Sequence, residues 1–444
     1  MRDRAEYNIK NYTEITGWAK IAPRLAIGDD YWTALGYYSI FPTPYAIIDC
    51  VASDLKLFAD LGVESFFAET ADYMEAGQQF IPLKFWLGYQ LLVDPHQPVE
   101  PLIQTFMDGY YGAAAGPMRE YLRYQRRRID QDAQFQALRD EPHKLKCLDV
   151  DFFLTSQRLF DEAESRLDPA SLAAAHVRDE RFILDGALLF LWPWMERTLS
   201  PGQSMPFDHE TVVARYEREW RSFVKGRYSR IYSHAPNCLN EDGKLLSRMA
   251  GLFRDPQLPG AFRDLPRRDV ADFNWLTFSD IRPRQKFVPD DEAAGGMTAT
   301  FTIRAEEGGD RPAAETHYQK PLAFGVTGGP TITLKPEDVP QDVRYHLHKI
   351  GRIRVKPGTM VWALEGQRLG VNVDRVYRSG AEDPSANDWN AYISLKAQGP
   401  AYVTGSTQPN GVWMDRVLLV KPQKDERLDV KRPTRAPPAR RSIS

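Results

Sequence analysis

Gly62-Val63-Glu64-Ser65-Phe66-Phe67-Ala68-Glu69-Thr70 decides how the first third of the chain reads. The glycine restarts the pattern, and Val63, Phe66 and Phe67 make a short apolar run that gives out at Ala68, Glu69 and Thr70. That is a short buried strand ending in an acid. Upstream, Arg24 to Gly28 reads as another strand, running into Asp29, Asp30 and Tyr31. Between the two, Pro42 and Pro44 break the loop, and from Ala46 onward Ile47, Val51, Leu55 and Phe58 fall on one helical face. Strand, helix, strand is a βα unit with parallel strands, so acidic residues follow the C-terminal ends of two successive strands.

Downstream the period becomes helical. Leu83, Trp86, Leu87 and Leu91 mark a helix stopped by Asp94 and Pro95. Leu102, Ile103, Phe106 and Met107 line the next, up to the Tyr110-Tyr111-Gly112 break, and Met118, Tyr121, Leu122 and Ile129 the one after. From about 148 to 225 no strand signal intervenes, and Val212, Tyr216, Trp220 and Phe223 form the clearest stripe, so a helical bundle is expected. Beyond about 262 the composition turns to Pro, Gly, Arg and Asp, then to alternating β-branched and aromatic runs: Thr298 to Arg304, Gly351 to Val355, Gly370 to Tyr377, Asn390 to Lys396 and Val412 to Val420. Such spacing without helices predicts an antiparallel, jelly-roll-like β-sandwich. Gly370-Val371-Asn372-Val373-Asp374-Arg375-Val376 is echoed by Gly411-Val412-Trp413-Met414-Asp415-Arg416-Val417, which predicts two similar strands. The expected organisation is α/β over 1–130, all-α over 131–260, all-β over 261–422, and a basic, disordered tail over 423–444.

Composition removes several function classes. The 444 residues carry 57 Lys and Arg against 60 Asp and Glu, a net charge of -3, so no basic field exists to hold a phosphate backbone. The longest strongly apolar stretch, Ala187 to Trp194, contains Pro193 and falls far short of the roughly 20 residues a membrane span needs. Cys50, Cys147 and Cys238 are odd in number and widely spaced, and read as isolated thiols. Met1 to Lys10 lacks the apolar core of a secretory signal, which at face value places the chain in the cytoplasm. No nucleophile elbow, phosphate-binding loop, dinucleotide fingerprint or HExxH motif occurs, and no cofactor is expected. His346 and His348 would share one strand face, but no third metal ligand accompanies them.

Gly62 to Glu69, Leu91-Leu92-Val93-Asp94-Pro95 and Phe106 to Ala114 together resemble the bacterial family known as domain of unknown function 4838 (DUF4838), part of which is classed as glycoside hydrolase family 163. The resemblance runs from about residue 15 to 130, and Trp389 to Val420 resembles the sandwich that often follows. It implies a (β/α)8 barrel, an endo-β-N-acetylglucosaminidase-like activity on N-glycans and, were the true start upstream, a periplasmic or extracellular location. A (β/α)8 barrel typically takes about 250 residues, whereas only about 130 precede the helical segment here. The expectation is therefore a partial TIM-type barrel: a fragment of a longer gene, a chain completed by a protein partner, or a lineage that has lost catalysis.

Glycosidases flank the scissile bond with two carboxyl groups, or let a substrate acetamide replace the nucleophile; barrels offer these groups at the C-terminal ends of strands. Glu69, Asp30 and Asp29 are the candidate catalytic acids, with helix capping or ion pairing as the alternative for each. Tyr31, Trp32, Tyr45, Asp72 and Tyr73 are candidate substrate contacts, because a ring face packs against the C–H face of a pyranose; simple packing is their alternative role. Trp389, Tyr392, Tyr402 and Trp413 form a candidate sugar platform or inter-sheet core. The expected function is a carbohydrate-active, glycoside-hydrolase-like protein for N-acetylglucosamine-containing glycans, the alternative a noncatalytic glycan-binding or assembly protein using its sandwich.

Overall fold

The computed structural model describes residues 6–29, 44, 48–68, 78–132, 145–200, 202–227, 244–277, 286–302, 322–340, 342–364, 369–398 and 411–423. Helix α1 (Glu6–Ile21) leads into strand β1 (Leu25–Asp29); α2 (Ile48–Asp60) returns the chain to β2 (Val63–Ala68). β1 and β2 pair in parallel, with Ile27 opposite Phe66 and Asp29 opposite Ala68. The predicted βα unit is thus present. Val51, Leu55 and Phe58 form the buried face of α2, and the Phe58 ring lies 5.8 Å from that of Phe66.

β2 is not the buried strand its apolar run predicts. α2 covers one face only, and on the other Phe67 is 65% exposed. Parallel sheets normally carry helices on both faces, but among the described residues this sheet has two strands and one covered side.

Among the described residues, seven helices build the next layer. α3 (Ile81–Val93), α4 (Val99–Tyr111) and α5 (Ala115–Gln131) follow the predicted stripes, and Gly112 makes the break between the last two at φ 53, where a side chain would be strained. Arg126 of α5, in a run that reads as a solvated helix end, reaches both oxygens of Asp49 in α2 and Glu100 in α4. α6 (Val150–Ser165) and α7 (Leu172–Thr198) start where side chains cap them: Asp149 accepts the Phe152 N–H and Ser171 the Ala174 N–H. α8 (His209–Arg227) and α9 (Lys244–Arg254) complete the layer. Val212 and Tyr216 are buried as their stripe predicts; the side chains of Trp220 and Phe223 lie outside the described residues. The helices α6, α7 and α8 meet at buried Asp185, which accepts from Arg215 at 2.5 and 2.7 Å and from Gln157 at 2.7 Å.

The described residues beyond α9 form two antiparallel sheets. One runs β10 (Leu369–Asn372), β9 (Met360–Ala363), β6 (Leu322–Val326), β7 (Thr331–Leu334). The other runs β4 (Lys286–Pro289), β5 (Met297–Thr302), β12 (Gly411–Val420), β11 (Asp388–Gln398), β8 (His346–Arg354). β3 (Val270–Phe273) shares β12 with β5: β5 takes Gly411 to Met414 and β3 takes Val417 to Val420. Phe324, Val361 and Val371 of one sheet and Ala391, Ile393 and Val412 of the other join a single hydrophobic core that also includes the helices.

The sequence echo does not give two like strands. β10 ends at Asn372, whose side chain accepts the Asp374 N–H at 2.9 Å and turns the chain into a short 3-10 segment, Asp374–Val376. The second copy continues as strand, because Asp415 is held inside by the Ala294 N–H and the Ser394 hydroxyl. Of the predicted tail over 423–444, all but Gln423 lies outside the described residues. No helix among them is long and apolar enough to cross a membrane.

Candidate functional site

The pairing of Asp29 with Ala68 puts the C-terminal ends of β1 and β2 side by side, about 4.8 Å apart as neighbouring strands are. Of the sequence-predicted site residues, Asp29 ends β1, though its side chain lies outside the described residues; Asp30, Tyr31, Trp32, Tyr45, Glu69, Asp72 and Tyr73 lie outside them altogether. The structure therefore brings the strand ends together and leaves the carboxylates and rings beyond them undescribed.

What it does define is the floor on which both loops land. The chain re-enters at Pro44 after β1 and at Gln78 after β2, and both points contact one buried polar network. Gln125 of α5 donates to the Pro44 carbonyl and to Gln79 Oε1, each at 2.6 Å; Tyr121 donates to the same Oε1 at 2.6 Å. Gln79 donates to the main-chain oxygen of Glu180 in α7 at 2.6 Å. The Glu180 carboxylate accepts the Phe80 N–H at 2.8 Å and the Tyr111 hydroxyl at 3.1 Å. Lys84 of α3 donates to Gln78 Oε1 at 2.7 Å.

Phe80 shows how tightly this floor is set. It has φ 56 and ψ 26, a left-handed conformation costly for a bulky side chain. It stands at the N-cap of α3 with no local side-chain cap, so Glu180 acts as the cap from another helix. The Phe80 ring is fixed against Tyr121 at 5.9 Å and edge-on to Tyr111 at 6.4 Å.

The electrostatics follow from burial. Desolvation pulls the Lys84 ammonium down to about 7, against the opposing pull of the Glu180 charge. Burial, then the same carboxylate, raises the Tyr111 phenol well above its ordinary value, and burial raises Tyr121 too. Lys84, Tyr111, Tyr121 and Glu180 are all buried and do not face solvent. Chemically they hold position: a polar cluster that fixes Phe80 and the chain where it re-enters at Gln78.

Sequence reading missed this network. The available signal was Lys84 itself, an ammonium three and seven residues before Leu87 and Leu91 on the inward stripe of α3. Nothing comparable marked Glu180, whose partners are about 70 to 100 positions away.

The sandwich candidates separate. Trp389 is buried beneath Lys421, whose ammonium sits 3.9 Å from the ring centroid. Tyr392 packs on Phe262 at 4.9 Å, Trp413 takes Lys396 at 5.6 Å, and Tyr402 lies outside the described residues. Trp389, for one, is core and not platform. His346 bonds Asp342 at 2.6 Å and His348 packs on Phe324.

Residues 2–123 match the family model described as a domain of unknown function, DUF4838. The match spans β1, α2, β2 and the helices into α5, and so includes Gln78, Gln79, Lys84 and Tyr111 but not Glu180. No curated protein matches the chain.

Proposed function

We propose that this protein is a carbohydrate-active, glycoside-hydrolase-like chain, of the family 163 kind, that acts on or binds N-acetylglucosamine-containing glycans at the C-terminal ends of β1 and β2. The observation that carries this reading is the parallel register setting Asp29 against Ala68, so that Asp30 and Glu69 come next in sequence at one end of adjacent strands. Barrel glycosidases draw their carboxylates from that end. On this reading Glu69 and Asp30 flank the glycosidic bond or orient the substrate acetamide, with Asp29 beside them. Tyr31, Trp32, Tyr45, Asp72 and Tyr73 contact the sugar, and the Glu180 network holds the loop that carries Glu69.

β1 and β2 are read as part of a TIM-type barrel and the C-terminal sheets as its jelly-roll-like companion. The exposed face of β2 at Phe67 favours a second reading, in which the chain binds glycan without turnover or needs a protein partner to close the barrel. Incubation with an aryl N-acetyl-β-glucosaminide and with an N-glycan tests both. Turnover abolished by Glu69→Gln supports the hydrolase; glycan binding without turnover supports the second reading; neither binding nor turnover refutes the carbohydrate assignment.

A further inference from the structure

Gln125 is fully buried on α5, one turn beyond Tyr121 and on the same inward face. Its amide is used unevenly. Nε2 donates twice, to the Pro44 carbonyl and to Gln79 Oε1, each at 2.6 Å, whereas Oε1 is closed off from solvent with no partner among the described residues. The orientation is fixed, because the amide turned over would set its oxygen against the oxygens of Pro44 and Gln79. A buried acceptor left unpaired carries the full desolvation cost of that group. Methionine, of equal length and similar helix propensity, would avoid that cost, but it could not make the two donations.

Other local costs fall on the same spot. Phe80, next to Gln79, holds the left-handed φ of 56, and Lys84, one turn into α3, is buried at 1% exposure. Breaches of local preference gathered in one place mark sites where a fixed geometry matters more than stability.

Topology decides what the amide joins. Pro44 is the first described residue after β1, and Gln79 lies between β2 and α3. β1 and β2 are parallel neighbours with Asp29 opposite Ala68, so two stretches of chain that start side by side come back to one side chain. Tyr121 and Glu180 hold only the second of them, through Gln79 and Phe80. Among the described residues Gln125 alone hydrogen-bonds both. The next residue, Arg126, grips Asp49 in the first turn of α2 at 2.8 and 2.6 Å, so α5 also holds the start of α2 from the surface.

We propose that Gln125 is a positioning residue that ties the chain returning from β1 to the chain returning from β2, holding the two sides of the strand-end site in one relative placement. The positioning role rests on the reading of the strand ends as the glycan site; the tether does not.

Hydrogen–deuterium exchange of the full chain, read in peptides spanning 44–55 and 78–87, tests the tether. In Gln125→Met both peptides should exchange about fivefold faster or more, while peptides spanning 388–398 and 411–420 stay as in wild type. Tyr121→Phe removes a bond to Gln79 and none to Pro44, so it should speed 78–87 alone. Gln125→Asn, one methylene short of the bridge, should repeat the paired change and keeps the test decisive should Gln125→Met not fold. A change in only one peptide with either Gln125 variant, in all peptides alike, or in both peptides with Tyr121→Phe overturns the tether. With an aryl N-acetyl-β-glucosaminide or an N-glycan, Gln125→Met should lower kcat, or affinity where there is binding without turnover, by about tenfold or more. Undiminished turnover or affinity with both peptides loosened overturns the positioning role. A wild type that neither binds nor turns over glycan removes the carbohydrate reading and the positioning role with it, and leaves the exchange result to decide the tether.

Discussion

Replacing Lys84 with methionine should change how the protein's stability depends on pH. Lys84 is 1% exposed, and burial lowers its pKa from 10.5 to about 7. One pKa unit corresponds to about 1.4 kcal/mol, so the charged ammonium carries a folding penalty on the order of 5 kcal/mol. The sign follows from proton counts. Between pH 7 and 10.5 the unfolded chain holds a proton on Lys84 that the folded chain has lost, so raising the pH favours folding. Below about pH 7 both states are protonated and the penalty is present in full. Wild type should therefore gain on Lys84→Met by about 1.4 kcal/mol per pH unit in that window, or roughly 3 kcal/mol between pH 7.5 and 9.5. Other ionisations cancel in the difference, and Tyr111 and Tyr121 stay neutral throughout because burial raises them. Urea unfolding of both proteins at pH 7.5, 8.5 and 9.5, read by tryptophan fluorescence, measures it. Parallel pH profiles would mean that Lys84 is solvated and that the floor under the strand ends is open to water.

Glu180→Ala should destabilise by about 3–5 kcal/mol in the same urea assay at pH 7, because it strands the Phe80 N–H and the Tyr111 hydroxyl and removes the charge that favours the Lys84 ammonium. Glu180→Gln, which keeps an acceptor, should cost less. Gly295 sits at φ 66, where an added Cβ would lie 2.4 Å from Leu252 and 2.8 Å from Trp275 Nε1; Gly295→Ala should lower stability by about 1–3 kcal/mol, and a neutral effect would show that α9 yields freely there. Burial pushes the Cys147 thiol up to about 12, whereas Cys50 is exposed. In a Cys50→Ser/Cys238→Ser variant, a thiol-titrating disulfide reagent at pH 8 should therefore react only after denaturation, and fast native reaction would contradict the burial.

Local pattern carried the elements, and distance in sequence hid the rest. The stripes from Val51 to Phe58 and from Leu83 to Leu91 fixed α2 and α3, because a 3.6-residue period needs no knowledge of partners. Val63 and Phe66 marked β2 correctly, but the same run implied burial that a two-stranded sheet with one helix cannot supply. The strands β4, β7 and β9 are four residues each and too short to show a period. Of the candidate site, the strand ends were legible and the floor was not. Glu180 meets Phe80 across 100 residues, and Arg197 meets Val270 across 73. Such pairings are created by packing, and only the incongruous Lys84 among leucines left a trace of them.

Helix α7 spans 27 residues, a rod about 40 Å long. Glu180, near its beginning, clasps the floor of the strand ends, and Arg197, in its last turn, reaches across to β3. About 25 Å of helix axis separates the two, so a tilt of about 5° pivoting at one end sweeps the other through about 2 Å. Pro193, lacking the N–H that would bond one turn back, is the natural flexing point of this lever. Motion of α7 as a rigid body would therefore carry Phe80 with it, whereas bending at Pro193 would take up the displacement of the far end and leave Phe80 in place.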